Sequence, residues 1–142
     1  MLKLLVAVDG SAHAQRAIEA VARLQAEAPS LDVVLVHVRD VPIYADQYPP
    51  LDAQAVEFAL QQQQSALLEE ALAQARQAGL KQVRTQSEVG MAPAEITRAA
   101  GALGVDFIVM GTHGRSTLGG LLLGSVAQRV VHLVSTPVLL VK

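Results

Sequence analysis

Three features of the chain predict an α/β domain built on a single five-stranded parallel sheet in the order 3-2-1-4-5. Strand and helix patterns alternate without interruption along the whole length. The first two strands are apolar almost throughout, as in strands buried on both faces, and the third is polar enough to demand an edge. Such alternation implies right-handed crossovers with helices on both sides of the sheet. The winding then reverses between the first and fourth strands, and sheets of this kind bind ligands there, outside the carboxyl ends of the strands.

Leu2 to Val8 (LKLLVAV) reads as the first strand and ends at the turn signal Asp9-Gly10-Ser11, with Ser11 placed as a helix N-cap. Ala14, Ala17, Ile18, Val21 and Ala22 form the inward stripe of a first helix that Pro29 closes. Asp32 to Val38 (DVVLVHV) is a second buried strand, followed by a loop from Arg39 to Pro50. Leu51 to Ala78 reads as a long helix facing inward through Val56, Ala59, Leu60, Leu67, Ala71, Ala75 and Ala78. Its glutamine run, Gln61 to Gln64, suits a solvated face, and Gly79 suits a left-handed C-terminal cap. Val83 to Val89 alternates as the edge strand; Pro93 opens a third helix with Ile96, Ala99, Ala100 and Leu103 inward. Phe107 to Met110 is the fourth strand, a helix with the apolar positions Val126, Val130, Leu133 and Val134 at helical spacing follows, and Val138 to Val141 is the last strand. No linker or repeat divides residues 1–142, so one Rossmann-like domain is expected.

The net charge of −2, with no basic stretch, provides no electrostatic footprint for nucleic acid. A chain with 0 cysteines has no disulfide and no thiolate chemistry. Leu2 to Val8 is too short for a secretory segment, and no apolar run reaches membrane-spanning length, so a cytoplasmic location is expected.

The most informative stretch is DFIVMGTHGRSTLGGLLLGSV, Asp106 to Val126. A buried strand runs into Gly111 and Gly114 and, nine residues later, into Gly124 and Ser125 at a helix start. Glycines there permit positive φ and close approach of an anion to the backbone. The first N–H groups of the helix lack intrahelical acceptors, and the helix dipole favours negative charge. The Ser125 hydroxyl can cap the helix or bind a phosphate oxygen. No lysine lies between Lys81 and Lys142, which excludes a Walker A loop. On spacing alone, the same glycines would serve equally to turn the chain and pack a helix closely.

These pieces together resemble the universal stress protein family over essentially the full length. The resemblance rests on VAVDGS (Val6 to Ser11), VHV (Val36 to Val38), EVGMAPAEI (Glu88 to Ile96), DFIVMGTHG (Asp106 to Gly114), LLGS (Leu122 to Ser125) and TPVLLV (Thr136 to Val141). The family's motif, Gly-x-x-Gly, nine residues, then Gly-[Ser/Thr], is met by Gly111, Gly114, Gly124 and Ser125, which implies the ATP-binding branch. The resemblance implies an adenine read by main-chain groups of Val38 and a ribose flanked by Met110 and Gly111. It also implies phosphates on the N–H groups of Gly114, Gly124, Ser125 and Val126, and ATP carried with Mg²⁺. Asp9 resembles the family's acidic residue near the ribose or a phosphate-bound metal; the other reading is a turn carboxylate capping the first helix.

Arg115 and Arg129 are either phosphate partners or solvated. His113 either approaches the terminal phosphate or stands exposed, and His37 reads as a hydrogen-bonded strand residue. His13 and His132 fit helix surfaces rather than a metal site. The implied function is a nucleotide-holding stress or regulatory protein acting through its oligomeric state or a partner. It would be at least a homodimer, paired through the apolar edge Val138 to Val141. The apolar stretch Leu118 to Leu123 either adds to that contact or folds over the nucleotide. The alternatives are a slow ATPase or phosphotransferase, and a nucleotide-free interaction module; no residue is assigned a catalytic role.

Overall fold

The computed structural model describes residues 1–28, 30–41, 52–114 and 123–142. Strands and helices alternate as β1 (Leu2–Ala7), α1 (Ala12–Glu27), β2 (Leu31–Arg39), α2 (Ala53–Gln77), β3 (Val83–Val89), α3 (Ala92–Leu103), β4 (Phe107–Gly111), α4 (Ser125–Leu133) and β5 (Val138–Val141). The five strands form one sheet in the order β3-β2-β1-β4-β5 with every pair parallel, as the sequence predicts. Pro29 and most of the loop expected after Arg39 lie outside the described residues; Arg39 itself closes β2.

Side chains alternate across the strands, so each strand feeds two cores. Leu4, Val6, Val33, Leu35 and Val109 face α1 and α2, where Ile18, Val21, Leu68, Ala71 and Ala75 meet them. Leu5, Val34, Val36, Ile108 and Met110 face α3 and α4, against Ile96, Ala99, Ala100, Ala127 and Val130. Alanine on the helix side brings the helices close to the valine-rich sheet. No residue of β3 is buried, in keeping with its polar sequence and edge position. Gly79 takes the left-handed conformation expected of it (φ +104°). The buried Gln25 fixes the adjoining turn, donating to Gly79 O at 2.8 Å and accepting from Lys81 N–H at 3.2 Å.

Two helix faces differ from expectation. In α2 the buried residues are Gln64, Leu68, Ala71 and Ala75, while Val56 (41% exposed), Ala59 and Ala78 face solvent. The first turns of α2 carry no buried residue; there Glu57 pairs with Arg39 at the end of β2 at 2.6 Å, and the buried face begins only at Gln64, which apolar periodicity alone does not show. In α4 the buried stripe is centred on Ala127 and Val130. Leu133 stands about 60° round from Val130 and about 120° from Ala127, and is 57% exposed.

Ile18, 1% exposed at the centre of the α1 face, tests this packing. Ile18→Ala is expected to destabilise the fold by about 2–5 kcal/mol, read as a lower urea midpoint with the slope unchanged.

Candidate functional site

β1 stops at Ala7, whereas its neighbours run on to Arg39 and Gly111. The Val8 N–H donates to Val36 O at 2.9 Å, and beyond that bond the chain turns away through Asp9-Gly10-Ser11. The turn is tightly specified: Asp9 Oδ1 accepts from Ser11 N–H at 2.9 Å, Ser11 Oγ accepts from Ala14 N–H at 3.1 Å, and Gly10 has φ +79°. Ser11 is therefore the N-cap of α1, and Asp9 is a turn carboxylate that leaves the capping to its neighbour. The early end of β1 opens a cavity of about 450 Å³ at the switch point of the sheet.

Asp9, Val38, Met110, Gly111, Gly114, Gly124, Ser125 and Val126, the eight residues singled out in the sequence, all line this cavity. At one end, Val38 lies two residues past the last β1–β2 pair, Ala7 with Val36. By strand alternation its N–H and C=O face the side on which β1 has ended. The buried Met110 and the α3 residue Ile96 add apolar wall. At the other end stands the start of α4. Gly124 is its N-cap, and no side chain caps it, so Ser125 is the first helical residue rather than the cap. The first intrahelical bond runs from Gln128 N–H to Gly124 O at 3.0 Å. The N–H groups of Ser125, Val126 and Ala127 thus have no intrahelical acceptor, and the positive end of the helix dipole lies on the cavity wall.

The glycines act by close approach and not by positive φ, which none of Gly111, Gly114 and Gly124 adopts. A Cβ on Gly111 would stand 2.6 Å from His13 Cβ, and one on Gly114 would stand 2.7 Å from Asp9 Oδ2. A Cβ on Gly124 would meet His113 Cα and Thr112 O, each at 3.2 Å. The Gly124 N–H donates to Thr112 O at 2.7 Å and so ties the α4 start to the end of β4. A side chain at Gly111 would displace His13 of α1, one at Gly114 would displace the Asp9 carboxylate, and one at Gly124 would crowd the end of the β4 connection.

Sequence reasoning did not bring His13 to this region. Its ring lies 5.2 Å from that of His113, centroid to centroid, behind Gly111. Arg16 donates to His13 Nδ1 at 2.9 Å and to Lys142 O at 2.8 Å. A guanidinium has no acceptor, so His13 is neutral with its proton on Nε2. Partial burial, the Arg16 charge and the neighbouring His113 all lower the His13 pKa below its usual 6.5, against the opposing pull of Asp9. His113 itself is partly buried, with Nδ1 3.0 Å from Thr112 Oγ1. Arg129 is exposed on α4 and does not line the cavity, while Arg115 and the stretch 118–122 lie outside the described residues. His37, Arg39 and Asp40 join the cavity wall without having been singled out as ligand contacts. Among the described residues, no group of three or more His, Asp or Glu is placed to hold a metal ion.

A model of the universal stress protein family matches residues 1–142. The chain belongs to that family. The universal stress protein in the QAH/OAS sulfhydrylase 3′ region of Thermus aquaticus is 36% identical over 140 residues, spanning 98% of this chain and 97% of the relative. Among solved structures, MJ0577 superposes with a TM-score of 0.84 at 29% identity, covering 99% of this chain and 95% of that one; its source is Methanocaldococcus jannaschii. A universal stress protein in complex with cAMP superposes with a TM-score of 0.68 at 26% identity, covering 99% and 96% of the two chains. The sheet order seen here is thus the family's sheet, and the cavity lies at its switch point.

The neutral state of His13 makes folding of this family member sensitive to acid. The unfolded chain takes up the His13 proton near pH 6.5 and the folded chain only below it. Stability should therefore fall as pH drops through 6.5 towards the lowered folded value, and lose nothing further from His13 beneath it. His13→Gln, which keeps an acceptor for Arg16, is expected to flatten that part of the profile of urea midpoint against pH.

Proposed function

We propose that this protein binds ATP in the switch-point cavity and acts as a regulatory protein whose nucleotide state is read out through its oligomeric state or a partner. The supporting observation is the convergence of all eight motif-derived residues on one cavity, apolar and strand-edged at one end, with an uncapped helix N-terminus at the other. The base would lie against Val38, using its main-chain groups for hydrogen bonding and its side chain as apolar wall. The ribose would lie between Asp9 and Met110–Gly111, and the phosphates on the N–H groups of Gly114, Gly124, Ser125 and Val126. A relative solved with cAMP, itself an adenine nucleotide, supports the choice of base. Mg²⁺ would arrive with the phosphates. It commonly uses only one or two protein carboxylates and keeps several waters, a demand that Asp9 on the cavity wall can meet.

Hydrolysis, where it occurs, would be slow. The described residues include no lysine on the cavity wall to draw charge from the phosphates, so positioning would act on them. A cytoplasmic setting suits a protein that holds ATP.

Calorimetric titration should show ATP binding with preference over GTP; failure of both to bind at millimolar concentration would overturn the reading. Gly124→Val separates the α4 start from Thr112 and should weaken ATP binding by about tenfold or more for each charge-assisted hydrogen bond lost.

We further propose a homodimer paired through β5. This strand is the sheet edge next to β4, four residues long and wholly apolar, and Leu139 on it is 40% exposed. Val131 and Leu133 on α4 are also exposed, so the neighbouring helix does not bury all its apolar surface. Light scattering should return the mass of two chains at micromolar concentration, and Leu139→Asp should return one. A single-chain mass for the unaltered protein, with and without ATP, would exclude the dimer.

A further inference from the structure

The glutamine run on α2 turns three residues to solvent and one inward. Gln61, Gln62 and Gln63 are exposed, whereas Gln64 is 6% exposed. Its amide nitrogen lies 2.9 Å from Glu88 O and 3.1 Å from His37 O, with His37 Nδ1 also at 3.1 Å. Carbonyl oxygens only accept, so the orientation of the amide is fixed and both of its hydrogens are committed. One buried side chain thus ties α2 to the carboxyl ends of two adjacent strands.

Those ends need a tie. The β1–β2 register closes at Ala7 with Val36, and beyond it His37, Val38 and Arg39 continue in register with Ser87, Glu88 and Val89 of β3. β3 is the sheet edge and buries no residue, so apolar packing does little to hold it. At the rim, the ladder as far as Arg39 with Val89 is reinforced by the Gly90 N–H on Arg39 O at 2.9 Å, by the Arg39–Glu57 ion pair from β2 to α2 at 2.6 Å, and by Gln64, which alone of these side chains bonds both strands. The placement of the Val38 edge, which lines the cavity, follows from where this pair is held.

We propose that Gln64 is a positioning residue for base recognition. It touches no ligand, but it holds the end of β2 so that the N–H and C=O of Val38 meet the base within the few tenths of an ångström that selective hydrogen bonding requires. This rests on the reading that the base docks on Val38. It assigns the base selectivity of the cavity in part to a helix residue behind the sheet.

The test separates the base from the phosphates. Gln64→Met keeps length and apolar packing but removes the donor; Gln64→Glu keeps shape and replaces the donor with an acceptor facing two carbonyls. Each variant and the unaltered protein are titrated with ATP, inosine triphosphate and inorganic tripolyphosphate. Expected for both variants is tripolyphosphate affinity within about twofold of the original, ATP affinity lower by about tenfold, and a preference for ATP over inosine triphosphate collapsing towards unity. A merely structural lesion would weaken ATP and tripolyphosphate alike, and that result overturns the proposal, as does a Gln64→Met protein that keeps its base preference. Should neither variant fold, the Gln64 side-chain amide resonances of the unaltered protein decide. Shifting with ATP and not with tripolyphosphate supports the proposal; indifference to both, or an equal response to both, overturns it. An unaltered protein that does not distinguish ATP from inosine triphosphate overturns the Val38 reading itself, and this proposal with it.

Discussion

The site exists because the central strand ends before the two strands beside it do. β1 yields to a turn after Ala7 while β2 and β4 continue past it, which leaves strand edges and loop backbone facing an open crevice. The turn that ends β1 also starts α1, since Ser11 caps the helix and Asp9 folds back on the Ser11 N–H. The same residues that terminate the strand therefore set one wall of the cavity. The opposite wall comes from the β4–α4 connection, and the two walls touch through glycines that have no room for a Cβ.

This geometry places opposite chemical demands at the two ends of one cavity. Apolar side chains and a one-sided strand edge suit a flat heteroaromatic group. The α4 start supplies N–H groups and a dipole, and suits an anion. An extended molecule with a planar base at one end and phosphate at the other satisfies both at once, whereas either half alone would leave part of the cavity unmatched.

Much of this was legible from the residues because the controlling physics was local. Continuous apolar runs marked strands with two buried faces, the polar Val83–Val89 marked the edge, and together they imposed the sheet order. The glycine spacing marked the anion end, although for a partly different reason. Gly111, Gly114 and Gly124 are required by what packs against them, His13, Asp9 and His113, and not by their own φ. Contacts between distant parts of the chain were not legible. Nothing in the order of residues shows that His13 meets His113, or that the buried face of α2 begins at Gln64. For the same reason Gln64 reads as one of four equivalent polar residues; its buried role depends on the angle at which α2 crosses the strand ends.

The position of β1 also bears on how the chain reaches its folded state. Of these five strands the earliest in the chain is the middle of the finished sheet, and its pairing with β4 waits for a segment far downstream; Lys3 N–H bonds Asp106 Oδ2 across 103 residues. β1, α1 and β2 can associate early, but contacts of such high sequence separation form slowly. The Asp9 turn and the Gly111 loop face each other only once β4 has docked. No partly folded form has both walls of the cavity, so a molecule that fills it stabilises the completed sheet and no intermediate. Such a molecule would then slow the unfolding of finished chains without hastening the folding of new ones.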